Sequence, residues 1–373
     1  MRYIGLMSGT SMDGIDAVLV DCPGSKGQPL SVRQHHHLTM PAALRQSLVA
    51  LNSPGANELH RAALAANELA RCCAAAVHET LHLAGAQTSD VCAIGAHGQT
   101  VRHRPGEFDA TGYTLQLLNG ALLAELCGID VVCDFRSRDL AAGGQGAPLV
   151  PAFHAALWGQ DGMAQAVLNL GGIGNLSLLG ADGTVGGFDC GPGNALMDLW
   201  CERHLGQPYD HDGAWAAGGH VIKPLLSILL SEPFFERIPP KSTGRDLFNA
   251  DWLDRQLARA GRGGWGPQNI QATLAELTVI TAAQALMRYA PDSQRLLVCG
   301  GGAFNGHLMR RLEAALPGLA AQSTDSLGLP ALQVEAAAFA WLAHAHLQRQ
   351  PGNRAEVTGA LGPRVLGALY PAR

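Results

Sequence analysis

The stretch spanning residues 3–22, YIGLMSGTSMDGIDAVLVDC, decides the expected fold. An apolar run from Tyr3 to Met7 has strand length, Ser8-Gly9-Thr10-Ser11-Met12-Asp13-Gly14 interrupts it, and a second apolar run from Ile15 to Val20 follows. Two such runs with a connection rich in glycine, hydroxyls and Asp read as a β-hairpin. The connection has the chemistry that polyphosphate needs. Glycines let backbone N–H groups approach an anion, hydroxyls add donors, and a carboxylate holds Mg²⁺ or its waters. It matches neither G-x-x-x-x-G-K-[ST], since there is no Lys and no helix signal follows, nor G-x-G-x-x-G. An ordinary N-terminal hairpin with a polar turn is the alternative.

The pattern recurs further along. Residues 166–170 pass through Gly171-Gly172-Ile173-Gly174-Asn175 into an apolar run at 176–179, again strand, glycine-rich turn, strand. One hairpin in each half points to a duplicated sheet domain with phosphates held between the copies. A buried-type strand at 295–299 opens into Gly300-Gly301-Gly302-Ala303-Phe304-Asn305 before a helical stretch around 307–315. Three glycines there let a flat ligand such as an adenine nucleoside lie against the backbone, whereas a tight turn needs one or two. The strand at 185–188 ends in Asp189-Cys190-Gly191-Pro192-Gly193-Asn194, ahead of a helix at 195–200. Asp189 has three roles open to it: general base, Mg²⁺ ligand through water, or helix cap. Asn194 is the more natural cap by position, which leaves Asp189 for chemistry.

A chain of 373 residues exceeds what one hydrophobic core usually serves, so two domains are expected. The expected boundaries give residues 1–135 with 355–373 to an N-terminal domain and 136–354 to a C-terminal one. Composition, 47% hydrophobic and 15% charged, is that of a globular α/β enzyme rather than a disordered chain. A formal net charge of −5 without a basic run argues against nucleic-acid binding. No run approaches the roughly 20 apolar residues of a membrane span, and no secretory leader pattern opens the sequence. The nine cysteines form no C-x-x-C, and an odd number fits a reducing, cytoplasmic compartment.

The remaining segments supply polar loops at strand ends. His35-His36-His37 has no acid or Cys beside it in sequence and reads as solvated strand or loop rather than a metal tract. Residues 41–51 and 57–83 are helical by period and are expected to pack on the first sheet. GAHGQT (95–100) follows a short strand, where α/β active-site loops fall, and its Gln99-Thr100 pair can bond a polar ligand. DFRSRDLAAGGQGAP (134–148) offers Arg136 and Arg138 as bidentate clamps for carboxylate or phosphate, with surface ion pairs as the alternative. DHDG (210–213) reads as structural, since no zinc spacing fits, and KSTGRD (241–246) as a loop able to touch ligand. Glu335, among alanines of a helix at 332–347, reads as an inward carboxylate. The tail, 358–370, is expected to return to the first domain.

In this order MSGTSMDGID, GAHGQTVRH, DFRSRDLAAGGQGAPLVPAFH, LNLGGIGN, GFDCGPGNALMD, PKSTGRDLFN, CGGGAFN and VTGALGPR resemble, over essentially the whole chain, the anhydro-N-acetylmuramic acid kinases of the sugar kinase/actin/chaperone ATPase superfamily. The resemblance implies an α/β fold of two duplicated RNase H-like (actin-like ATPase) domains with an interdomain active-site cleft closing on ATP. It implies hydrolytic opening of 1,6-anhydro-N-acetylmuramic acid with phosphorylation at O6, giving N-acetylmuramate 6-phosphate for peptidoglycan recycling. Asp189 would then be the general base and Glu335 would orient the water. Thr100 and Arg138 match positions that hold the sugar. Gly9, Thr10, Ser11, Met12, Asp13, Gly14, Ile15 and Asp16 of the first hairpin, with Gly171, Gly172 and Asn175 of the second, would bind phosphates. Gly300, Gly301, Gly302 and Asn305 would face the adenosine. Where the superfamily usually has an Asp two residues before Gly-Thr, Met7-Ser8 precede Gly9-Thr10, so a Mg²⁺ ligand is sought among Asp13, Asp16 and Asp189. The family also implies a homodimer. The rivals are another sugar kinase or acetate-kinase-like phosphotransferase, and a non-catalytic actin-like ATP clamp.

Overall fold

A computed structural model describes residues 1–9, 12–22, 30–244, 247–261 and 264–372. Among the described residues thirteen strands follow in chain order: β1 (Arg2–Met7), β2 (Gly14–Asp21), β3 (Ser31–Thr39), β4 (Val91–Ala96), β5 (Gln99–Pro105), β6 (Gly112–Leu117), β7 (Val131–Cys133), β8 (Gln165–Leu170), β9 (Ile173–Leu179), β10 (Val185–Pro192), β11 (Leu296–Cys299), β12 (Ala321–Ser323) and β13 (Ala368–Tyr370). The chain divides into two compact units, Met1–Leu157 with Gln333–Arg373, and Trp158–Leu332.

The first unit is built on a sheet of order β13-β7-β4-β1-β2-β3. β1, β2 and β3 form an antiparallel meander, while β4 runs parallel to β1 and β7 parallel to β4. The 27-residue helix Glu58–Ala84 carries the chain from β3 towards β4, as parallel neighbours require a crossover. Its buried Leu69, Cys72, Cys73, Ala76 and Val77 recur at helical spacing and share a core with Ile4, Leu6, Ile15 and Leu19 of β1 and β2. Gly85, at φ 62°, ends it in the left-handed conformation. The tail does return to this unit: β13 pairs antiparallel with β7.

The other face of the sheet is closed by the alanine-rich helix Val334–Leu347. A Cβ on Gly5 would lie 1.8 Å from Ala336 O, and one on Gly95 2.0 Å from Phe339 O, so the helix backbone rests directly on β1 and β4. That contact puts the helix in the first unit. The second boundary therefore falls at 332/333 rather than the expected 354/355, and the first lies at 157/158 rather than 135/136.

The second unit has the order β10-β9-β8-β11-β12. β8, β9 and β10 are an antiparallel meander, β11 is parallel to β8 and β12 parallel to β11. Strand for strand this repeats β3-β2-β1-β4-β7, order and direction alike, which is the duplicated RNase H-like fold. The helix Pro267–Tyr289 is long and apolar enough to cross a membrane, but 83% of its apolar window is buried within the protein, where Leu274, Leu277 and Leu286 join the core of this unit.

Candidate functional site

In the first unit the hairpin of β1 and β2 pairs Met7 with Asp16 and carries the polar connection at its end. Thr10 and Ser11 lie outside the described residues. Met12 and Ile15 bury their side chains in the core, so only their backbone is offered to a ligand. Asp13 is exposed and its carbonyl accepts from Met40 N at 2.8 Å. Gly14 is glycine because β3 passes close by, since a Cβ there would meet the His37 ring at 2.3 Å and Leu38 O at 2.7 Å.

Asp16 is engaged across the sheet. One carboxylate oxygen takes His35 Nε2 at 2.9 Å and His37 Nδ1 at 3.0 Å. Burial pushes its carboxyl up, and the hydrogen bonds from the two histidines outweigh this, leaving it below the ordinary carboxylate range. The His tract is thus a strand, as expected, but two of its rings hold a carboxylate 19 and 21 residues away in sequence.

Beside the hairpin, buried Ser8 donates to Gln99 Oε1 at 2.5 Å and Gln99 Nε2 donates to Gly9 O at 3.3 Å. Gln99 thus ties GAHGQT to the hairpin. Thr100 on β5 accepts from Gln116 Nε2 at 3.2 Å. At the end of β7, Asp134 adopts a left-handed φ of 57°, which Asp tolerates, and the chain turns into the short helix Ser137–Ala141. The two arginines of DFRSRD then separate. Arg138 is exposed, while Arg136 is half-buried against His97 and the carbonyl of Gly146. Arg136 Nε and Nη2 lie 3.2 and 2.9 Å from His97 Nε2, which must accept. His97 is accordingly neutral, its pKa pushed down to about 3 by burial first and by the Arg136 charge second.

Asp139 is buried and structural. It accepts from Gly146 N at 2.7 Å, Asn353 Nδ2 at 2.6 Å and Thr358 Oγ1 at 2.8 Å, locking the GGQGAP loop to the VTGALGPR tail. Glu335 stands in the first turn of Val334–Leu347. Burial raises its carboxyl above the ordinary range, Arg136 opposes the shift, and the Asp16 charge adds to it.

In the second unit Asp189, Asn175 and Asn169 are successive partners across β10, β9 and β8, so their side chains share one face. The ladder is bulged between Asp189 and Gly191, a common device for aiming a side chain beside a site. Asp189 Oδ2 accepts from Thr243 N at 2.9 Å and Asp189 N donates to Lys241 O at 3.1 Å, so the KSTG segment backs the carboxylate. Arg245 and Asp246 of that loop lie outside the described residues. Lys241 donates to Phe235 O at 3.1 Å over the rings of Phe188 and Phe234, and burial lowers its pKa.

Asn194 sits at the expected cap position but does not cap by its side chain. Its Nδ2 donates to Leu170 O at 2.8 Å while its backbone N bonds Gly171 O at 2.8 Å, stitching the helix start to the hairpin. A Cβ on Gly171 or Gly172 would meet nothing nearer than 3.7 Å, so internal packing does not demand glycine there. The opposite holds for Gly300 and Gly302, where a Cβ would meet Asn169 Oδ1 at 2.4 Å and Leu170 Cβ at 2.5 Å, respectively; Gly301 alone of the three is uncrowded. Asn305 caps the helix Gly306–Ala315 through Leu308 N at 3.0 Å. In the DHDG loop Asp210 binds Trp215 N and Ala216 N, each at 2.9 Å, a structural role.

The family model for anhydro-N-acetylmuramic acid kinase matches residues 1–372. The chain belongs to the anhydro-N-acetylmuramic acid kinase family. Among similar proteins, the anhydro-N-acetylmuramic acid kinase of Variovorax paradoxus (strain S110) is 59% identical over 99% of both chains. That of Cupriavidus pinatubonensis is 58% identical over 99% of this chain and 98% of its own, and that of Bordetella pertussis 59% over 99% and 96%. Solved structures with a likeness to the chain include the activator of 2-hydroxyisocaproyl-CoA dehydratase from Clostridium difficile, at TM-score 0.48 and 10% identity over 93% of this chain and 96% of that one. A ROK family glucokinase from Streptomyces griseus follows at 0.42 and 15%, covering 92% and 99%. The fold of this family member rests on its repeated strand order, not on those distant likenesses.

Reading the sequence missed His97, Ser8, His35, His37, Asp139 and Thr243 as parts of these networks. Each is joined by contacts across strands or loops that no local spacing encodes.

Proposed function

We propose that the chain carries out the whole reaction of its family: ATP-dependent phosphorylation of 1,6-anhydro-N-acetylmuramic acid at O6 with hydrolytic opening of the anhydro bridge, giving N-acetylmuramate 6-phosphate and ADP. The observation that carries this reading is kinship along the full chain, residues 1–372 of the family model, with relatives of matching length. Asp189, at the end of bulged β10, takes a proton from the attacking water. The water oxygen bonds to the anomeric carbon, the bond from that carbon to O6 breaks, and O6 takes the γ-phosphoryl group as ADP leaves. Glu335 accepts a hydrogen bond from that water and orients it. Thr100 and exposed Arg138 bind the sugar, the guanidinium suiting the lactyl carboxylate. The backbone of both hairpins, uncrowded at Gly171 and Gly172, binds phosphates, and Gly301 faces the nucleoside.

Mg²⁺ belongs to this proposal. Among the described residues no three His, Cys, Asp or Glu side chains are grouped to hold a metal ion, which fits an ion brought in on nucleotide phosphates and touched by one or two carboxylates. Asp13, Asp16 and Asp189 are the carboxylates for it, and it would neutralise charge on the transferred group. A cytoplasmic homodimer completes the reading, and sedimentation at micromolar concentration tests its dimeric part. Asp189→Asn tests the base. Expected is ATP binding within about twofold of the parent and a loss of turnover of at least about 10³-fold; turnover within tenfold of the parent contradicts the assignment.

A further inference from the structure

Arg136 is held on two sides within the first unit. Its Nη1 donates to Gly146 O at 2.8 Å, and its Nε and Nη2 converge on His97 Nε2 at 3.2 and 2.9 Å. Both anchors are themselves fixed. Gly146 is tied through its N–H to Asp139, which Asn353 and Thr358 hold in turn. His97 is 6% exposed, its backbone N donates to Leu6 O at 3.0 Å, and its ring packs 4.8 Å from that of Phe339. Phe339 is one helical turn beyond Glu335 on the same helix, so the His97 wall and the carboxylate share one rigid support.

A guanidinium clamped in this way differs in kind from its neighbour two residues on. Arg138 is exposed and free to reorient about a substrate, whereas Arg136 has its fork committed to the protein. We infer that Arg136 is a positioning residue for Glu335, its guanidinium fixed by the Asp139–Gly146 loop and by a neutral His97 so that a cation faces the water-orienting carboxylate, and that it does not clamp the sugar. The charge relation is consistent with this, since Arg136 opposes the burial that would neutralise Glu335. His97 suits the task because its neutral ring accepts two N–H groups, and a protonated ring would repel the guanidinium. The inference rests on Glu335 orienting the water.

The test is steady-state kinetics on the full-length protein with ATP, Mg²⁺ and the anhydro-sugar, comparing Arg136→Met, Arg136→Lys, Arg138→Met, Glu335→Gln and the double variant R136M/E335Q. Thermal unfolding verifies that each is folded. For R136M, kcat is expected to fall about 10²-fold with KM for the sugar within about threefold, because misplacing a catalytic group by about an ångström has that effect. R136K, which keeps the charge, regains at least part of the loss. R138M instead raises KM for the sugar about tenfold or more. The double variant is no slower than E335Q, because the two residues act as a unit. A raised KM with full kcat in R136M, or an additive double variant, overturns the inference. Full kcat in E335Q overturns the reading of Glu335 beneath it, a distinguishable failure. If R136M does not fold, His97→Asn, which withdraws the anchor and keeps the arginine, decides: a lower kcat at constant KM supports the inference and an unchanged kcat overturns it.

Discussion

His154 and His97 show how the interior treats a titratable group. Both are buried, and burial pushes each pKa down to about 3, aided at His97 by the Arg136 charge. A histidine in the unfolded chain titrates near 6.5. Below that pH the unfolded state binds a proton that the folded state refuses, so stability falls as pH drops from about 6.5 towards 3. Between pH 7 and pH 5 each histidine removes about 2 kcal/mol. Denaturant unfolding of His154→Gln is therefore expected to show a pH 7-to-5 loss smaller than the parent's by about that amount, and an equal loss in both contradicts it. At this scale sequence is least informative. Arg136 and Arg138 share a chemistry and a motif, and nothing in DFRSRD says which is clamped and which exposed. The difference arises because a left-handed Asp134 and the five-residue helix after it turn one inward. Likewise Asp16 meets His35 and His37 only through the register of β2 on β3.

Among the elements, the helix Val334–Leu347 has the most consequence for the site, since it carries Glu335 and rests on β1 and β4 through Gly5 and Gly95. A methyl at Gly95 would lie 2.0 Å from a helix carbonyl oxygen and 3.0 Å from Ala343 Cβ, and backbone does not yield as a side-chain tip does. Gly95→Ala is expected to lower stability by about 3 kcal/mol and to reduce kcat, as the helix shifts with its carboxylate. Unfolding free energy and turnover unchanged from the parent would contradict that packing. The helix itself was legible from its alanine-rich period and lack of breakers, and so were the long helix Glu58–Ala84 and both glycine-turn hairpins. Which sheet the helix covers was not legible, because a nearly all-apolar helix has no directional face. That gap accounts for the boundary at 332/333 in place of 354/355. The three-residue strands β7, β12 and β13 are likewise too short to show a period, so their places came only with their partners.

For the molecule as a whole, the repeated order of β3-β2-β1-β4-β7 and β10-β9-β8-β11-β12 is the most general finding. Duplication was already signalled by two strand–glycine–strand units about 165 residues apart, because hairpins are local and glycine turns conspicuous. The strands before GAHGQT and at 295–299 were legible as strands, but their parallel pairing with each meander, a long crossover away, was not. Kinship with the anhydro-N-acetylmuramic acid kinases joins this scaffold to a reaction in which water and a phosphoryl group are both taken up. Incubation of the purified chain with ATP, Mg²⁺ and 1,6-anhydro-N-acetylmuramic acid in ¹⁸O-labelled water, followed by mass spectrometry of the sugar, reads both events at once. Expected is a product heavier by one phosphoryl group and one water, with the label on the anomeric carbon and phosphate on O6. A phosphorylated sugar that has gained no water, or ADP release with the sugar unchanged, would contradict the account.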